Sequence, residues 1–316
     1  MEFWTDTAAV PAGFGPSAVT VGKFDGLHAG HRAVIDRLRV IAKDRGLVPT
    51  VVTFDRNPLS LLRPELSPAP LVSNAQKVQL LESAGVGAVL MVTFDEALRD
   101  MTPEQFVQRI VVDALHAEVM FVGSDFRFGA KGAGDVALLE SLGREHGFEV
   151  IRIDDVAPHG PRRVSSTWVR ELLAEGDVKQ ASRLLGGLPS VRSTVVHGAH
   201  RGRELGYPTA NLDPDLEGLA PADGVYAAWL VVDGDRYGAA VSIGNNPTFD
   251  GVPEKQVEAH AIDQDFDLYD KTVTLEFVDR IRGMWKFDSI DELVEQIARD
   301  EERARDILGM APRERP

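Results

Sequence analysis

Two hydrophobic periods divide this chain. Over residues 18–180, short apolar runs at 18–21, 48–54, 88–93, 118–122 and 149–153 alternate with stretches of helical spacing at 31–45, 74–84, 102–115 and 135–145. Strands alternating with helices predict a mainly parallel sheet covered on both faces. In the first helical stretch Val34, Ile35, Leu38 and Ile41 make one stripe, so that helix is expected to pack on the sheet. Residues 56–71 carry Pro58, Pro64, Pro68 and Pro70 and read as a loop rather than a helix. A loop of that length beside strand ends either shapes a ligand site or is a surface excursion. Residues 166–185 read as one or two short helices broken at Gly176-Asp177.

Gly186-Gly187-Leu188-Pro189-Ser190 reads as a hinge between domains, and beyond it the period changes. Runs at 191–196, 224–232, 237–243, 256–262 and 271–281 are separated by Gly, Asp, Asn and Pro, which predicts a small antiparallel barrel or sandwich. A helix over 288–308 closes the chain, with Asp288 or Ser289 as its cap and Ile290, Leu293, Val294, Ile297 and Ala298 on one face. The expected domains are therefore 1–186 and 187–316, and a chain of 316 residues is long enough to give each its own core.

Composition narrows the function. Hydrophobic and charged fractions of 44% and 26% suit a globular protein rather than a disordered or fibrous one. The net charge of −15 argues against wrapping nucleic acid or binding a membrane surface. It is uneven, −4 over 1–186 and −11 over 187–316, so any polyphosphate site needs local compensation from a few arginines and Mg²⁺. No cysteine is present, which removes disulfides, thiolate nucleophiles and thiolate metal sites. The eight histidines do not cluster at zinc-ligand spacing. No apolar run is long enough to span a bilayer, and the first six residues lack the pattern of a secretory signal, so a cytoplasmic location is expected.

The richest segment is Val19-Thr20-Val21-Gly22-Lys23-Phe24-Asp25-Gly26-Leu27-His28-Ala29-Gly30-His31, a strand, a glycine-rich turn and the start of a helix. Backbone N–H groups at a helix start favour anions. The pattern is neither a P-loop nor the three-glycine dinucleotide fingerprint. It places His28 and His31 around Gly30, whose missing side chain lets a ligand approach. Imidazoles donate to phosphate oxygens more strongly as those oxygens gather charge in a transition state. The competing reading is a histidine pair that caps the helix or binds zinc.

Residues 22–31 resemble the His-x-Gly-His signature of the nucleotidylyltransferase superfamily, in the form found in prokaryotic bifunctional riboflavin kinase/FAD synthetases. Val164-Ser165-Ser166-Thr167-Trp168-Val169-Arg170 is similar to the second signature, and Val122-Gly123-Ser124-Asp125-Phe126-Arg127-Phe128-Gly129 to the loop on the flavin and nucleotide side. The resemblance implies an α/β nucleotidyltransferase domain with a mainly parallel, Rossmann-like sheet, in which the terminal phosphate of FMN attacks the α-phosphorus of ATP. It implies that His28 and His31 stabilise the α-phosphoryl transition state and that Gly22, Phe24 and Gly30 border the nucleotide. Ser166 and Thr167 would then hydrogen-bond phosphates, while Arg163 and Arg170 offset charge on the pyrophosphate. Asp125 and Phe126 would lie near the substrates, or else serve as a turn residue and a core aromatic. One departure is Phe54-Asp55-Arg56-Asn57-Pro58, where the family commonly has a histidine before the proline; Asn57 can hydrogen-bond a phosphate or flavin oxygen but carries no charge.

Gly206-Tyr207-Pro208-Thr209-Ala210-Asn211 taken alone reads as a barrel loop, although a threonine hydroxyl and an asparagine carbonyl can share Mg²⁺ with ATP phosphates. The segment resembles the Pro-Thr-Ala-Asn riboflavin kinase signature of the same family. Gly224-Val225-Tyr226, Ser242-Ile243-Gly244-Asn245-Asn246-Pro247-Thr248-Phe249 and Val257-Glu258-Ala259-His260 continue the likeness in order. It implies a small antiparallel β-barrel domain with a terminal helix, in which Gly206, Pro208 and Asn245 border the nucleotide and Thr209 and Asn211 organise Mg²⁺–ATP. Glu258 would be the base for the ribityl 5′-hydroxyl of riboflavin, against the alternative of a barrel-face glutamate paired with an arginine. Arg282 would bind substrate at the end of its strand, or form a rim salt bridge. Asp270 and Met284 depart from the family's usual glycine and acidic residue.

The expected activity is therefore two ATP-dependent steps, riboflavin to FMN in the C-terminal half and FMN to FAD in the N-terminal half. The expected partners are small molecules alone, and whether subunits associate into a homo-oligomer is left open. One rival is a nucleotidyltransferase of single activity with a merely ligand-binding barrel. Another is a flavin- or RNA-binding regulator on an enzyme-like scaffold.

Overall fold

The computed structural model describes residues 1–153, 162–197, 205–244 and 255–311. The chain divides into two compact units, Met1–Pro70 with Asn74–Ser165, and Leu71–Ser73 with Ser166–Pro316. Among the described residues no helix is long and apolar enough to cross a membrane.

The first unit is built on strands β1 (Glu2–Trp4), β2 (Ser17–Val21), β3 (Val48–Phe54), β4 (Ala88–Val92), β5 (Ala117–Gly123) and β6 (Glu149–Ile153), in the order β1-β4-β3-β2-β5-β6. Every neighbouring pair is parallel. Alternate residues of each strand enter opposite cores. Ala18, Val51, Val89, Val119 and Phe121 meet the helices Ala29–Arg45 and Asn74–Ser83 on one face, through Ile35, Leu38, Ala42 and Leu81. Val19, Val52, Leu90, Met120 and Val122 meet Phe106, Ile110, Val111, Leu139 and Leu142 on the other. A strand buried on both sides has no polar face to show, which is why these strands read as continuous apolar runs.

Three local differences from the expected elements have physical causes. β1 has only three residues, too few to show a period; Trp4 anchors it edge-on to Phe14 at 4.7 Å. The helix expected over 102–115 starts with a Thr102/Gln105 capping box and one α-turn at Pro103–Phe106, then widens into a π-helix at Val107–Ala114. Its apolar residues fall at 106–107, 110–111 and 115, and the wider turn keeps them all on the sheet. In the proline-rich segment Leu59–Leu62 forms a single helical turn and Pro64–Leu66 a 3₁₀ turn, where a loop was expected. Pro58 presets the backbone angle there and Asn57 Oδ1 accepts the Leu59 amide at 3.1 Å.

The second unit opens with helices Ser166–Glu175 and Val178–Leu185, separated at Gly176-Asp177, where Asp177 caps the second through the Gln180 amide at 2.8 Å. Strands β7 (Ser190–Val196), β8 (Ala210–Leu212), β9 (Gly224–Val232), β10 (Asp235–Gly244), β11 (Gln256–Ala261) and β12 (Thr272–Arg282) close into a barrel in the order β10-β11-β8-β7-β12-β9. It is a barrel, then, and not a sandwich. β8 is the short strand that pattern alone reads as loop. The interior is filled by residues such as Val241, Val257, Ala259, Leu275 and Phe277, with Tyr226 edge-on to Phe277 at 5.5 Å.

The closing helix, Ile290–Leu308, is capped by Ser289 as expected; of the expected face Leu293 is buried and Val294, Ile297 and Ala298 are partly buried, and the buried side continues through charged residues. Ile290 is 59% exposed, whereas Asp300, Glu301 and Arg305 are buried beside Leu293 and Ala304. Charged residues occupy that face because they have partners there. Arg282 pairs with Asp300 at 2.8 Å, and Arg305 with Glu301 at 2.9 Å.

Truncating Phe277 to Ala in the barrel interior is expected to cost about 3–5 kcal/mol. Ile290→Ala, at an exposed helix start, should change stability by less than about 0.5 kcal/mol. Thermal unfolding of the two variants checks the contrast, and equal losses would contradict the barrel core described here.

Candidate active sites

β2 leaves the sheet between β3 on one side and β5 on the other, and the helices that follow β2 and β5 pack on opposite faces. A parallel sheet binds ligands at such a reversal, beyond the carboxyl ends of the strands. The turn at this point is tightly folded. Phe24, Gly26 and Leu27 all have left-handed backbones, with φ of 45°, 84° and 40°. Phe24 and Leu27 are 2% and 1% exposed, and their burial offsets the backbone cost. Gly22 keeps the sheet pattern by donating to Val52 O at 3.0 Å, and Thr53 Oγ1 holds the Lys23 carbonyl at 3.1 Å.

The turn delivers His28 to the N-cap of the Ala29–Arg45 helix, but its side chain makes no capping bond. Instead its ring stacks on that of His31, with centroids 3.8 Å apart and planes 16° apart. Phe24 supports His31 from 4.9 Å. Gly30 serves this stack directly: a Cβ there would lie 3.2 Å from His28 Cε1 and Nδ1. His28 is buried, His31 is partly exposed, and the Nδ1 atom of each is buried without a hydrogen-bond partner among the described residues. Buried polar groups are ordinarily hydrogen-bonded, and a helix N-terminus favours anions, so two such ring nitrogens side by side there make a candidate anion site. Both imidazoles are held neutral. Burial, and then the Arg163 charge, lower His28 to about 4. Burial and the charges of His28, Arg163 and Lys77 hold His31 well below its ordinary value.

At the neighbouring strand end, Gly123 O accepts the Phe126 amide at 3.1 Å, which closes the turn carrying Asp125. Arg163 Nη1 donates to Asp125 Oδ2 at 2.9 Å, so these two expected residues do meet. Phe126 stacks on Phe128 at 5.5 Å and is partly buried against the core. Asn57 uses its side-chain oxygen to cap the following turn. Sequence reasoning missed Lys77. It lies on the buried side of the Asn74–Ser83 helix, 7% exposed, and donates to Phe54 O at 2.8 Å, while Asn74 Nδ2 donates to Asp55 O at 2.8 Å. Burial lowers the Lys77 ammonium from its usual value against the opposing pull of Asp25 and Asp55. A lysine on the apolar side of a helix is the signal that could have found it. Ser166, Thr167 and Arg170 lie in the helix that opens the second unit, whereas Arg163 belongs to the first.

In the barrel, β8 places Asn211 directly across from Glu258 of β11. Directly opposed residues on antiparallel strands bring their Cβ atoms to about 5 Å. Val257, Ala210 and Ala259 point inward, so Asn211 and Glu258 share the outer face, and Thr209 immediately precedes β8. Asn211 Nδ2 donates to Thr209 O at 3.4 Å, which leaves the amide oxygen as the acceptor end. A threonine hydroxyl and an asparagine amide oxygen two positions apart are hard donors of the kind Mg²⁺ takes. Pro208 and Thr209 line a cavity of about 360 Å³ together with Gln264, Phe266 and Tyr269. Gly206 supplies a φ of 83° to the approach. Arg282 Nε donates to both Asp300 oxygens at 3.1 and 2.9 Å, its Nη2 lies 2.8 Å from Oδ2, and the guanidinium lies over Trp285 at 4.9 Å. Asn245 lies outside the described residues.

Comparison with known proteins covers both halves. A family model described as FAD synthetase matches residues 12–168, and one described as riboflavin kinase matches residues 185–308. A bifunctional riboflavin kinase/FMN adenylyltransferase from Escherichia coli K12 is 37% identical over 92% of this chain and 93% of its own length. The protein of the same name from Bacillus subtilis is 32% identical over 91% of each. A crystal structure described as a macrolide-efflux protein from Streptococcus pneumoniae superposes with a TM-score of 0.84 at 32% identity, over 96% of this chain and 98% of that one.

The neutral histidines make stability depend on pH. Unfolding returns His28 to its ordinary value of 6.5, so below that pH the unfolded chain takes up a proton that the folded chain refuses. The stability contribution is complete above pH 6.5 and shrinks as pH falls toward 4, by up to about 1.4 kcal/mol per pH unit. His28→Gln should flatten the acid side of a thermal-unfolding series between pH 7 and 5; an unchanged slope would place this ring in water.

Proposed function

Because this chain belongs to the family of bifunctional riboflavin kinase/FMN adenylyltransferases, with an FAD synthetase domain followed by a riboflavin kinase domain, we propose how its own residues divide the two reactions. Riboflavin and ATP give FMN and ADP; FMN and a second ATP give FAD and pyrophosphate. Adenylyl transfer is assigned to residues 1–186 and phosphorylation to residues 187–316. Both use Mg²⁺–ATP and take place in the cytoplasm.

The observation that carries the first assignment is the stacked histidine pair with two unpartnered Nδ1 atoms at the reversal of the parallel sheet. In adenylyl transfer an oxygen of the FMN phosphate attacks the α-phosphorus of ATP while the bond to pyrophosphate breaks. His28 and His31, neutral beforehand, bind oxygens of the triphosphate and hold them more firmly as negative charge grows. Gly22, Phe24 and Gly30 keep the pair in register. Arg163 offsets charge on the departing pyrophosphate, joined by Ser166, Thr167 and Arg170. Asp125 and Phe126 border the flavin side, and Asn57 offers a neutral hydrogen bond.

In the kinase half, Glu258 orients the ribityl hydroxyl and accepts its proton as the γ-phosphoryl group transfers. Thr209 and Asn211 would hold Mg²⁺, which would supply charge neutralisation on the phosphates. The opposition of Glu258 and Asn211 across β11 and β8 supports this, because it brings base and nucleotide ligand to one spot. Gly206, Pro208 and Asn245 border the nucleotide, and Arg282, steadied by Asp300, borders the flavin.

Product analysis of the full chain with Mg²⁺–ATP and either riboflavin or FMN tests both assignments. His28→Ala or His31→Ala should lower FAD formation about a hundredfold or more while sparing FMN formation. Glu258→Ala should do the reverse. A folded single variant that loses both FMN formation from riboflavin and FAD formation from supplied FMN would overturn the division.

A further inference from the structure

We propose that His260 is a positioning residue of the kinase site, holding the peptide that precedes Thr209 from the strand that carries Glu258. The inference rests on the assignment of Thr209 and Asn211 to Mg²⁺–ATP. The backbone register of β11 on β8 runs through Glu258↔Asn211 and Ala259↔Ala210 and then stops. One step further the imidazole replaces the missing rung, with His260 Nδ1 2.8 Å from the Pro208 carbonyl oxygen. A carbonyl only accepts, so this contact assigns the proton to Nδ1. The Pro208 carbonyl belongs to the same planar peptide unit as the Thr209 nitrogen. Fixing that oxygen fixes the plane from which the Thr209 side chain departs. Pro208 has its φ locked by its ring, so few torsions remain to relax the segment.

The other side of the ring is equally defined. His260 Nε2 faces Glu301 Oε2 at 3.9 Å, and Tyr207 sits edge-on at 5.4 Å. Glu301 is held in turn by Arg305, which donates to its Oε1 at 2.9 and 3.2 Å and also pairs with Asp263 at 2.7 Å. The Glu301 and Arg305 side chains are 6% and 4% exposed. A buried ionic set of this kind is a weak source of net stability compared with apolar packing, and its best-attested use is to specify one arrangement. Here that arrangement runs from the closing helix through Glu301 and His260 to the residue before Thr209. Glu258, two positions back on β11, shares the outer face with His260. One strand thereby sets both the base and the nucleotide ligand.

The test uses the full chain and measures kinase kcat, KM for Mg²⁺–ATP, KM for riboflavin and adenylyl transfer in the same samples. His260→Ala should lower kinase kcat/KM for Mg²⁺–ATP about tenfold to a hundredfold, as expected for a misplaced reacting group, and leave KM for riboflavin and adenylyl transfer unchanged. His260→Asn, whose side-chain amide presents a donor near the Nδ1 position, should recover the activity to within about threefold of the native chain. Thr209→Ala is the control for the underlying assignment. If it leaves the kinase intact, the assignment fails and the inference with it. If it impairs the kinase while His260→Ala does not, the positioning role alone is overturned. An Asn variant as weak as the Ala variant also overturns it. Should His260→Ala fail to fold, Glu301→Gln keeps the shape and removes the charge behind the ring. A selective kinase loss of about twofold to fivefold supports the role, and native kinase activity contradicts it.

Discussion

Burying both faces of a parallel sheet is the constraint from which the N-terminal site follows. Parallel strands need crossover connections, so each strand runs the same way and all their carboxyl ends share one edge. The helix after β2 covers one face and the helix after β5 covers the other, which opens the edge between these two neighbouring strands. Nothing about catalysis is needed to produce that crevice. What this chain adds is a left-handed turn, supported by the burial of Phe24 and Leu27, that sets two imidazoles at the mouth of a helix.

The electrostatics of that crevice depend on desolvation more than on net charge. The half that holds it carries −4 overall, yet the histidine pair experiences Arg163 and Lys77 as its nearest influential charges. Burial is the largest cause that keeps both rings neutral. Polar groups fixed in place by folding spare the free energy of reorienting water when charge develops on a bound group. Lys77 joins this arrangement structurally as well, because its bond to Phe54 O fixes the exit of β3.

The barrel solves a different problem. Closing six strands removes sheet edges, fills the interior with apolar side chains and leaves alternate residues facing outward. On that outer face, opposition across β8 and β11 unites Asn211 and Glu258, some fifty positions apart in the chain. The closing helix then presents Asp300, Glu301 and Arg305 to that body of strands, each with a charged partner. Charge placed on the buried side of a helix is tolerable only where such partners exist.

Long elements with a strong period were legible in one dimension: β3, β6 and β9 coincide with their predicted spans, and the Ser289 cap and the break at Gly176-Asp177 stand where local chemistry put them. Short-range motifs were legible too, since His28, Gly30 and His31, or Thr209 and Asn211, are close in the chain and need no fold to be adjacent. The fold alone decided the rest. β1 and β8 have only three residues each and exist because a longer strand offers them hydrogen bonds. Widening of the helix at Val107–Ala114, the opposition of Glu258 to Asn211, the pairing of Arg282 with Asp300 and the burial of Lys77 all depend on partners distant in sequence. A hydrophobic period records which side of an element is buried, but the partner waiting on that side is set by packing in three dimensions.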